Sequence, residues 1–298
     1  MICPNCQSST FTNVKMGLIS CGGCRLILNG EYTQPESVKN IHEEWFSPSG
    51  SQGVDFWQKS FDQFNHKRTY ARVVKHGCTK GKLLEVGVGN GSLLKFMKDK
   101  GFEVEGVDLL ESIAETVNRL HQVKVFGGGL ESIPKDRKYD LIVAHHVLEH
   151  TLNPLEFLTF LKGLLKDTGL LFLAVPNVDS WGAFLPGWVS YQPYHLLYFN
   201  RATLAQTLQK SGLKTRELYS HESFSGWLIA LIQTPKRLFR KSLLAKPSPS
   251  KGLMKRNVIV VNLYRLIMVV SGMVTFPLRW VQSRLGKGDE LIAVIEKA

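Results

Sequence analysis

The chain has 298 residues, of which 44% are hydrophobic, and its formal net charge is +12. That length and composition suffice for one large globular domain with a small appendage, and they exclude collagen-like, coiled-coil and low-complexity proteins. The charge is unevenly distributed, because residues 223–288 contain twelve Lys or Arg and no Asp or Glu, which leaves 25 basic and 25 acidic residues elsewhere. We therefore expect an anionic partner for this one segment rather than for the whole protein.

The N-terminal residues point to a metal-binding module. The first residues contain no basic stretch followed by an apolar one, so we expect no cleaved signal peptide and a cytoplasmic location. In that reducing environment, two Cys-x-x-Cys pairs favour one tetrahedral, structural zinc ion over disulfides, which predicts a zinc ribbon over residues 1–30. An iron–sulfur cluster and four unmetallated thiols are the alternatives. The pairs are separated by fourteen residues and consist of Cys3, Cys6, Cys21 and Cys24.

Hydrophobic periodicity predicts the helices and strands in the rest of the chain. Residues 31–80 are expected to form a helical connector, with a helix over 54–76. Strands are predicted at 83–86, 103–107, 123–126, 139–144, 170–175, 214–219 and 290–296, and helices at 92–100, 112–121, 155–165 and 202–211. Because strands alternate with helices, we expect an α/β fold with a mostly parallel sheet, formed by a core at 81–222 and a final strand at 289–298.

The first strand of this core leads into a glycine turn formed by Gly87, Gly89 and Gly91. Glycines let a ligand approach the backbone closely, and the helix that follows presents unpaired N–H groups. Asp108 lies seventeen residues after Gly91, at the end of the next strand. A carboxylate at that position can accept hydrogen bonds from both hydroxyls of a ribose. These residues predict a site for an adenosine-containing ligand.

A dinucleotide such as NAD or FAD is the competing ligand. Its glycine fingerprint would place a third glycine at position 92, but this chain has Ser92, and Glu85 precedes the first glycine by two residues. A purely structural turn with a solvated aspartate is the remaining alternative.

Several motifs in order resemble the class I S-adenosylmethionine-dependent methyltransferases, most closely the branch of ubiquinone-biosynthesis-like small-molecule methyltransferases. The resemblance spans roughly residues 80–220 and 286–297, and it implies a Rossmann-like, seven-stranded sheet and S-adenosylmethionine as cofactor. The segments that carry it are 84–91, 106–108, 139–150 with its Val-Leu-Glu-His ending, 164–177, 195–212 and 286–292.

The resemblance also implies a set of cofactor-binding residues. The family often has an acidic residue that contacts the adenine, but Gly129 stands at that position, so we expect backbone groups near Gly129 and Leu130 to hold the adenine instead. The full predicted set is Glu85, Gly87, Gly89, Gly91, Asp108, Gly129, Leu130 and His145.

Methyl transfer from a sulfonium is an in-line displacement, so the protein mainly aligns donor and acceptor. A hydroxyl or carbon acid must also lose a proton, for which histidine is suited near neutral pH. His146, near the end of the fourth strand, and His195 are our predicted catalytic pair, with His145 and His150 as further candidates. A structural hydrogen bond is the alternative for each of them. No Asn-Pro-Pro-Tyr-like motif follows the fourth strand, which argues against amino-methylating nucleic-acid enzymes.

Residues 223–288 form an insertion that is both basic and apolar, with a strongly apolar stretch at 258–278. Basic residues beside an apolar face fit peripheral attachment to an anionic membrane on its inner side. The apolar stretch is about long enough to span a bilayer, but Arg265 interrupts it, so a peripheral or re-entrant element is preferred. A helical lid or a dimer interface is the alternative, and RNA is a third partner class.

Three functions are therefore considered. The preferred hypothesis is methylation of an O or C atom of a small or lipid-linked molecule, with S-adenosylmethionine as cofactor and a structural zinc ion. The second is an RNA methyltransferase that uses the zinc ribbon and the basic segment. The third is a non-catalytic, membrane-associated binding module, against which the intact glycine turn and Asp108 count.

Overall fold

The structure, a computed structural model, describes residues 1–30, 56–222, 226–238 and 258–298. It divides into two compact units. The unit that we call the ribbon unit comprises the described residues of 1–33, 175–204 and 218–292, and the core unit comprises those of 34–174, 205–217 and 293–298. The sequence predicted five consecutive segments with boundaries at residues 30, 80, 222 and 288, whereas each unit combines segments that are separated along the chain. The predicted domain boundaries stay a prediction. Much of the predicted connector and of the basic stretch, at 31–55 and 239–257, lies outside the described residues.

The described residues form eleven strands. In chain order they are β1 (Phe11–Asn13), β2 (Leu18–Cys21), β3 (Ile27–Asn29), β4 (Gly81–Val86), β5 (Phe102–Asp108), β6 (Lys124–Gly127), β7 (Tyr139–His145), β8 (Leu165–Pro176), β9 (Leu197–Tyr198), β10 (Leu213–His221) and β11 (Glu290–Lys297).

The described helices number eight. They are α1 (Phe56–Lys75), α2 (Ser92–Asp99), α3 (Glu111–His121), α4 (Pro154–Leu164), α5 (Arg201–Lys210), α6 (Gly226–Leu238), α7 (Val258–Val274) and α8 (Phe276–Arg284).

Seven of the strands form one sheet in the order β10-β11-β8-β7-β4-β5-β6. Strand β4 pairs in parallel with both β5 and β7, and β5–β6 and β7–β8 are also parallel. Leu141–Ala144 in β7 are completely buried, as expected for a strand of a parallel sheet that is covered on both faces. The predicted α/β fold with a Rossmann-like, seven-stranded sheet is thereby confirmed, and most predicted elements agree to within two residues.

The start of β8 differs from its prediction. The sequence predicted a helix to 165 and a strand from 170, whereas α4 ends at Leu164 and β8 begins at Leu165. A register shift opposite Tyr139 accommodates the extra strand residues. Gly169 makes this possible, because a Cβ there would lie 2.8 Å from the carbonyl oxygen of Tyr139. A close backbone contact, which periodicity does not reveal, therefore sets this boundary.

The ribbon unit contains a second, four-stranded sheet in the order β1-β2-β3-β9. Strand β3 pairs antiparallel with β9, with Ile27 opposite Tyr198. Apolar side chains from both parts of the chain form one core beneath this sheet, namely Leu18, Ala183, Trp188, Tyr191 and Tyr198. The N-terminal strands therefore share their core with residues from the middle of the chain, and the short strand β9 was not predicted.

The predicted apolar stretch at 258–278 forms helices α7 and α8, which meet around Thr275. Pro277 lies in the first turn of α8, a position that tolerates proline because its N–H would have no partner there. Among the described residues, no single helix has the length and apolarity needed to cross a membrane. The segments Leu266–Val274 and Phe276–Arg284 meet these criteria only as a pair, and they are bent by 58°.

Helix α1 is joined to β10 by a charged cluster around Glu217 in the core unit. The Glu217 carboxylate accepts hydrogen bonds from Arg72 at 2.7 Å, Lys75 at 3.1 Å and His76 at 2.8 Å. Burial favours a higher pKa for Glu217, but the hydrogen bonds from His76 and Lys75 and the charge of Arg72 together hold this pKa below its usual value of 4.5. The ionised carboxylate therefore stabilises the folded state.

We expect Glu217→Gln to lower the free energy of unfolding at neutral pH by about 1–2 kcal/mol, because a half-buried charge network loses its centre. A carboxyl whose pKa is lowered by folding contributes stability above its unfolded-state pKa, and this is lost as the pH falls through the folded-state pKa. The difference from wild type should therefore shrink below pH 4.5. Urea unfolding at several pH values measures it, and Glu103→Gln, which alters an exposed pair with Lys82, is the control. A difference that stays constant with pH would contradict this account.

Candidate active site and metal centre

A cavity of about 480 Å³ lies in the core unit at the carboxyl ends of β4, β5 and β7. This is the edge where parallel α/β sheets hold their ligands, and the volume is in the range of small-molecule sites. Six of the predicted cofactor-binding residues line the cavity: Gly87, Gly89, Asp108, Gly129, Leu130 and His145. Glu85 and Gly91, the other two, are not among its lining residues.

The glycine turn requires glycine for two different reasons. Gly87, Gly89 and Gly91 have φ angles of 74°, 52° and 72°, in the left-handed region that other residues rarely adopt. A Cβ on Gly91 would lie 2.5 Å from Val117, so this glycine allows α3 to pack closely. A Cβ on Gly89 would meet no atom within 4 Å, and Gly89 lines the cavity. Gly89 is therefore the position where a ligand can reach the backbone.

The Asp108 carboxylate is buried at the end of β5 and lines the cavity. It accepts hydrogen bonds from the backbone N–H of Leu110 at 3.1 Å and, more weakly, of Gly89 at 3.4 Å. Burial raises the pKa of Asp108, and these backbone bonds partly oppose the rise. The carboxylate is thus held in one place beside the glycine turn, as a fixed acceptor.

Glu85 has a different environment. It is 6% exposed, and burial, aided by the charge of Asp108, raises the pKa of Glu85 well above its usual value of 4.5. Its Oε2 has no hydrogen-bond partner among the described residues. Burial therefore favours the neutral form of the Glu85 carboxyl, which lies next to the glycine turn in sequence.

Histidines follow β7 at the rim of the same cavity. His145, His146 and His150 all line it. The ring of His145 packs edge-on against Phe172, with centroids 5.2 Å apart. His150 lies in a short 3-10 turn, Leu148–His150, rather than in an α-helix.

His146 has the most unusual geometry of the three. Its φ is +53°, a conformation that is rare for a non-glycine residue and often marks a functional site. Its backbone N–H donates to the Ala174 carbonyl at 2.9 Å, and its Nδ1–H donates to Glu149 Oε1 at 3.2 Å. Its side chain is 43% exposed, whereas that of Glu149 is 1% exposed. A buried carboxylate thus orients a histidine that faces the cavity.

Glu149 was not predicted as a site residue, although its position three residues after His146 on a turn could have suggested the pairing. His195, the other predicted catalytic residue, belongs to the ribbon unit. It is 7% exposed, and its Nδ1–H donates to the Ser190 carbonyl at 2.7 Å. Of the predicted catalytic pair, the cavity in the core unit is lined by His146 alone.

The four N-terminal cysteines lie together, with every pair of sulfur atoms within 4.8 Å. Cys3 and Cys24 are 3.6 Å apart, and Cys6 and Cys21 are 3.4 Å apart. Thiolates about 2.3 Å from one tetrahedral zinc ion lie about 3.8 Å from one another, so the cluster has the size of a zinc site. The separations are too long for disulfide bonds.

The two Cys-x-x-Cys turns repeat the same backbone geometry. Gln7 and Arg25, each just after the second cysteine of its pair, have φ angles of 66° and 63°. Each donates its backbone N–H at 2.9 Å to the carbonyl of the first cysteine, Cys3 or Cys21. A Cβ on Gly23 would lie 3.1 Å from the Cys6 sulfur, so a larger residue at this position would crowd the cysteine cluster. Two matched turns that aim four thiolates at one point fit a single metal ion.

Comparison with known proteins gives matches to the core of the chain. A family model described as a methyltransferase domain matches residues 59–218. The ubiquinone biosynthesis O-methyltransferase of Histophilus somni (strain 2336) is 31% identical over 171 residues, covering 51% of this chain and 67% of that protein. The protein of the same name from Rickettsia felis (strain ATCC VR-1525 / URRWXCal2) is 25% identical over 149 residues, covering 48% and 60%. The chain thus spans about three fifths to two thirds of the length of these curated relatives.

A solved structure supports the fold. The 1,6-didemethyltoxoflavin-N1-methyltransferase of Burkholderia thailandensis was solved with bound 1,6-didemethyltoxoflavin and S-adenosylhomocysteine. It is similar to this chain with a TM-score of 0.54 at 14% sequence identity, and the match covers 97% of this chain and 100% of that one. At this identity the likeness concerns the fold alone.

Proposed function

The chain belongs to the S-adenosylmethionine-dependent methyltransferase family, and on that premise we propose that it methylates an oxygen or carbon atom of a small or lipid-linked acceptor. The observation that carries the proposal is the arrangement of Gly89 and Asp108. An open glycine backbone and a fixed, buried carboxylate meet in one cavity at the ends of β4 and β5.

The residues of the cavity fit S-adenosylmethionine, which when bound supplies a methyl group activated on a sulfonium. Asp108 would accept hydrogen bonds from the ribose hydroxyls, and Gly89 would let the cofactor approach the backbone. Gly129 and Leu130, which also line the cavity, would hold the adenine through backbone groups. Gly129 has a φ of +105°, which favours glycine at this position, so an acidic residue there would be strained.

His146 is the residue we propose as the general base. With Nδ1–H bound to Glu149, the imidazole carries its lone pair on Nε2, which can take the proton of an acceptor hydroxyl as its oxygen bonds to the methyl carbon. The buried Glu149 carboxylate stabilises the imidazolium that forms. The strained backbone at His146 supports this assignment, because strain is retained where function needs it.

The names of the relatives favour an oxygen atom. Both the Histophilus somni and the Rickettsia felis proteins are O-methyltransferases of ubiquinone biosynthesis. We therefore place a hydroxyl of a small, partly apolar acceptor first among substrates. No described feature favours RNA as the acceptor.

We also propose that the four cysteines hold one structural zinc ion. All four coordination positions would be filled by sulfur, which leaves none for a substrate or a water molecule. The ion would stabilise the ribbon unit, because β2 ends at Cys21 and Leu18 in β2 packs against Trp188 and Tyr198.

Asp108→Ala is expected to weaken S-adenosylmethionine binding by roughly 10- to 150-fold, the loss expected when hydrogen bonds to a charged group are removed. Isothermal titration calorimetry with S-adenosylmethionine measures it. Asp136→Ala removes an exposed carboxylate of the core unit that does not line the cavity, and it should bind as wild type. Failure of the wild-type protein to bind the cofactor would refute the proposed function.

His146→Ala should lower kcat for methyl transfer by about 10²–10⁴ while cofactor affinity stays within a factor of about three, because a general base acts on the acceptor. The assay is release of S-adenosylhomocysteine with a panel of phenols and prenylated phenols. Glu149→Gln should lower kcat less and shift its pH profile. If His195→Ala or His150→Ala abolished turnover and His146→Ala did not, the base would be misassigned.

Cys21→Ser is expected to remove zinc and to speed hydrogen exchange of residues 188–198, which share a core with Leu18 of β2, the strand that ends at Cys21. Plasma mass spectrometry should find one zinc ion per wild-type chain, and hydrogen-exchange mass spectrometry follows the segment. Cys78→Ala, which removes a thiol outside the cluster, should retain the metal. Bound iron instead of zinc, or unchanged exchange in Cys21→Ser, would contradict the proposal.

A further inference from the structure

Helix α8 has the reverse of the usual polarity, because its exposed side is apolar and its buried side is polar, and the exposed side of α7 is apolar as well. Arg279 and Gln282 of α8 are 9% and 0% exposed. The large apolar side chains, in contrast, are 41–74% exposed, and we call them the outer face: Leu266, Ile267, Val270, Met273, Val274, Phe276, Leu278, Trp280, Val281 and Leu285. Isolated exposed apolar residues are common, but a continuous set of this kind marks a binding surface.

Hydrogen bonds inside the ribbon unit hold the polar side inward. Arg279 donates to the Gly272 carbonyl at 2.6 Å, which links α8 to α7. Gln282 donates to Glu222 Oε2 at 2.6 Å and to the Lys287 carbonyl at 2.7 Å. These bonds would be lost if α8 rotated to bury its apolar residues. The outer face is therefore fixed outward and is not the result of a loosely packed helix.

On α7 the apolar residues follow helical spacing. Leu266, Val270 and Met273 recur at intervals of four and three residues, which places them on one stripe, while Met268 on the other side is buried. Phe276 and Trp280 have the same spacing on α8. Arg284 lies over the Trp280 ring, 4.6 Å from its centroid. A tryptophan beside an arginine at the edge of an apolar face is typical of segments at a membrane–water interface.

We propose that the outer face inserts into the interfacial region of an anionic lipid membrane. Charge favours this occupant, because the insertion at 223–288 has twelve Lys or Arg and no acidic residue. Anionic headgroups attract such a segment, by roughly 1 kcal/mol for each basic residue near the surface. A second copy of the chain would bring an equally basic segment to the same interface, and the two would repel each other.

The shape of the helix pair determines how deeply it enters. Helix α7 has 17 residues, or about 26 Å, which is shorter than the roughly 30 Å hydrocarbon core. The 58° bend before Phe276–Arg284 prevents the two helices from forming one straight rod. The pair therefore lies in the plane of one leaflet, with its apolar side chains among the acyl chains and Arg284 at the headgroups.

Membrane insertion is independent of the proposed reaction, and it can be tested without a substrate. Purified full-length protein is mixed with vesicles of phosphatidylcholine and phosphatidylglycerol, or of phosphatidylcholine alone, and floated through a density gradient. Wild type should float with the anionic vesicles, less with the neutral ones, and less again at high salt. The variant Phe276→Ser/Trp280→Ser should partition at least about 100 times more weakly, because two large apolar side chains are lost.

A matched control distinguishes binding through the outer face from nonspecific binding through any exposed apolar side chain. Phe64 and Leu120 in the core unit are 61% and 65% exposed, similar to Phe276 and Trp280, so Phe64→Ser/Leu120→Ser should float as wild type does. Circular dichroism and thermal unfolding check that both variants fold. Equal flotation of wild type and Phe276→Ser/Trp280→Ser would overturn the proposal. The proposal would also be overturned if wild type formed a dimer that did not float and Phe276→Ser/Trp280→Ser dissociated this dimer. The outer face would then bind a second copy of the chain.

Calorimetry with S-adenosylmethionine on the same preparations keeps the two proposals apart. A protein that binds the cofactor but not vesicles refutes the membrane site alone, and one that floats without binding the cofactor refutes the proposed reaction alone.

Discussion

The pairing of β4 with β5 on one side and β7 on the other is the constraint from which the candidate active site follows. Because all three strands are parallel, their carboxyl ends meet at one edge of the sheet. The glycine turn after β4, Asp108 at the end of β5 and His145 at the end of β7 therefore line one cavity, although the chain separates them widely. Within the turn, Gly91 lets α3 pack close to that edge, because a Cβ there would lie 2.5 Å from Val117.

Much of this could be predicted from the sequence, because local chemistry determines it. Buried parallel strands appear as short apolar runs, and the glycines at 87, 89 and 91 reveal a turn that other residues rarely adopt. Asp108 could be placed because a strand end fixes its position. The pairing of His146 with Glu149 was not predicted, and the three-residue spacing that could have suggested it does not reveal the unusual backbone angle at His146. Likewise, the sequence predicted that β8 begins at 170, whereas it begins at Leu165, where Gly169 allows a close contact with Tyr139.

The remaining differences arise where distant parts of the chain meet. Composition showed that residues 258–278 are apolar, but the side on which their apolar groups lie depends on Arg279 and Gln282, which hydrogen bonds draw inward. No local sequence pattern predicts that α8 exposes its apolar side and buries its polar side. The spacing of the two Cys-x-x-Cys pairs was enough to predict a metal site, because the spacing is a local feature of the sequence. It did not predict that strand β3 continues into a sheet with β9.

That shared sheet has a consequence for how the protein is made. Lys15 contacts the carbonyl of Ala183, which is synthesised 168 residues later, and Leu18 completes its core only when Trp188 and Tyr198 arrive. Contacts between residues so far apart in sequence form slowly. Residues 11–29 therefore leave the ribosome with exposed apolar groups, well before the residues that complete their core. A metal ion taken up early by the cysteines would keep this nascent segment folded until the rest of its core emerges.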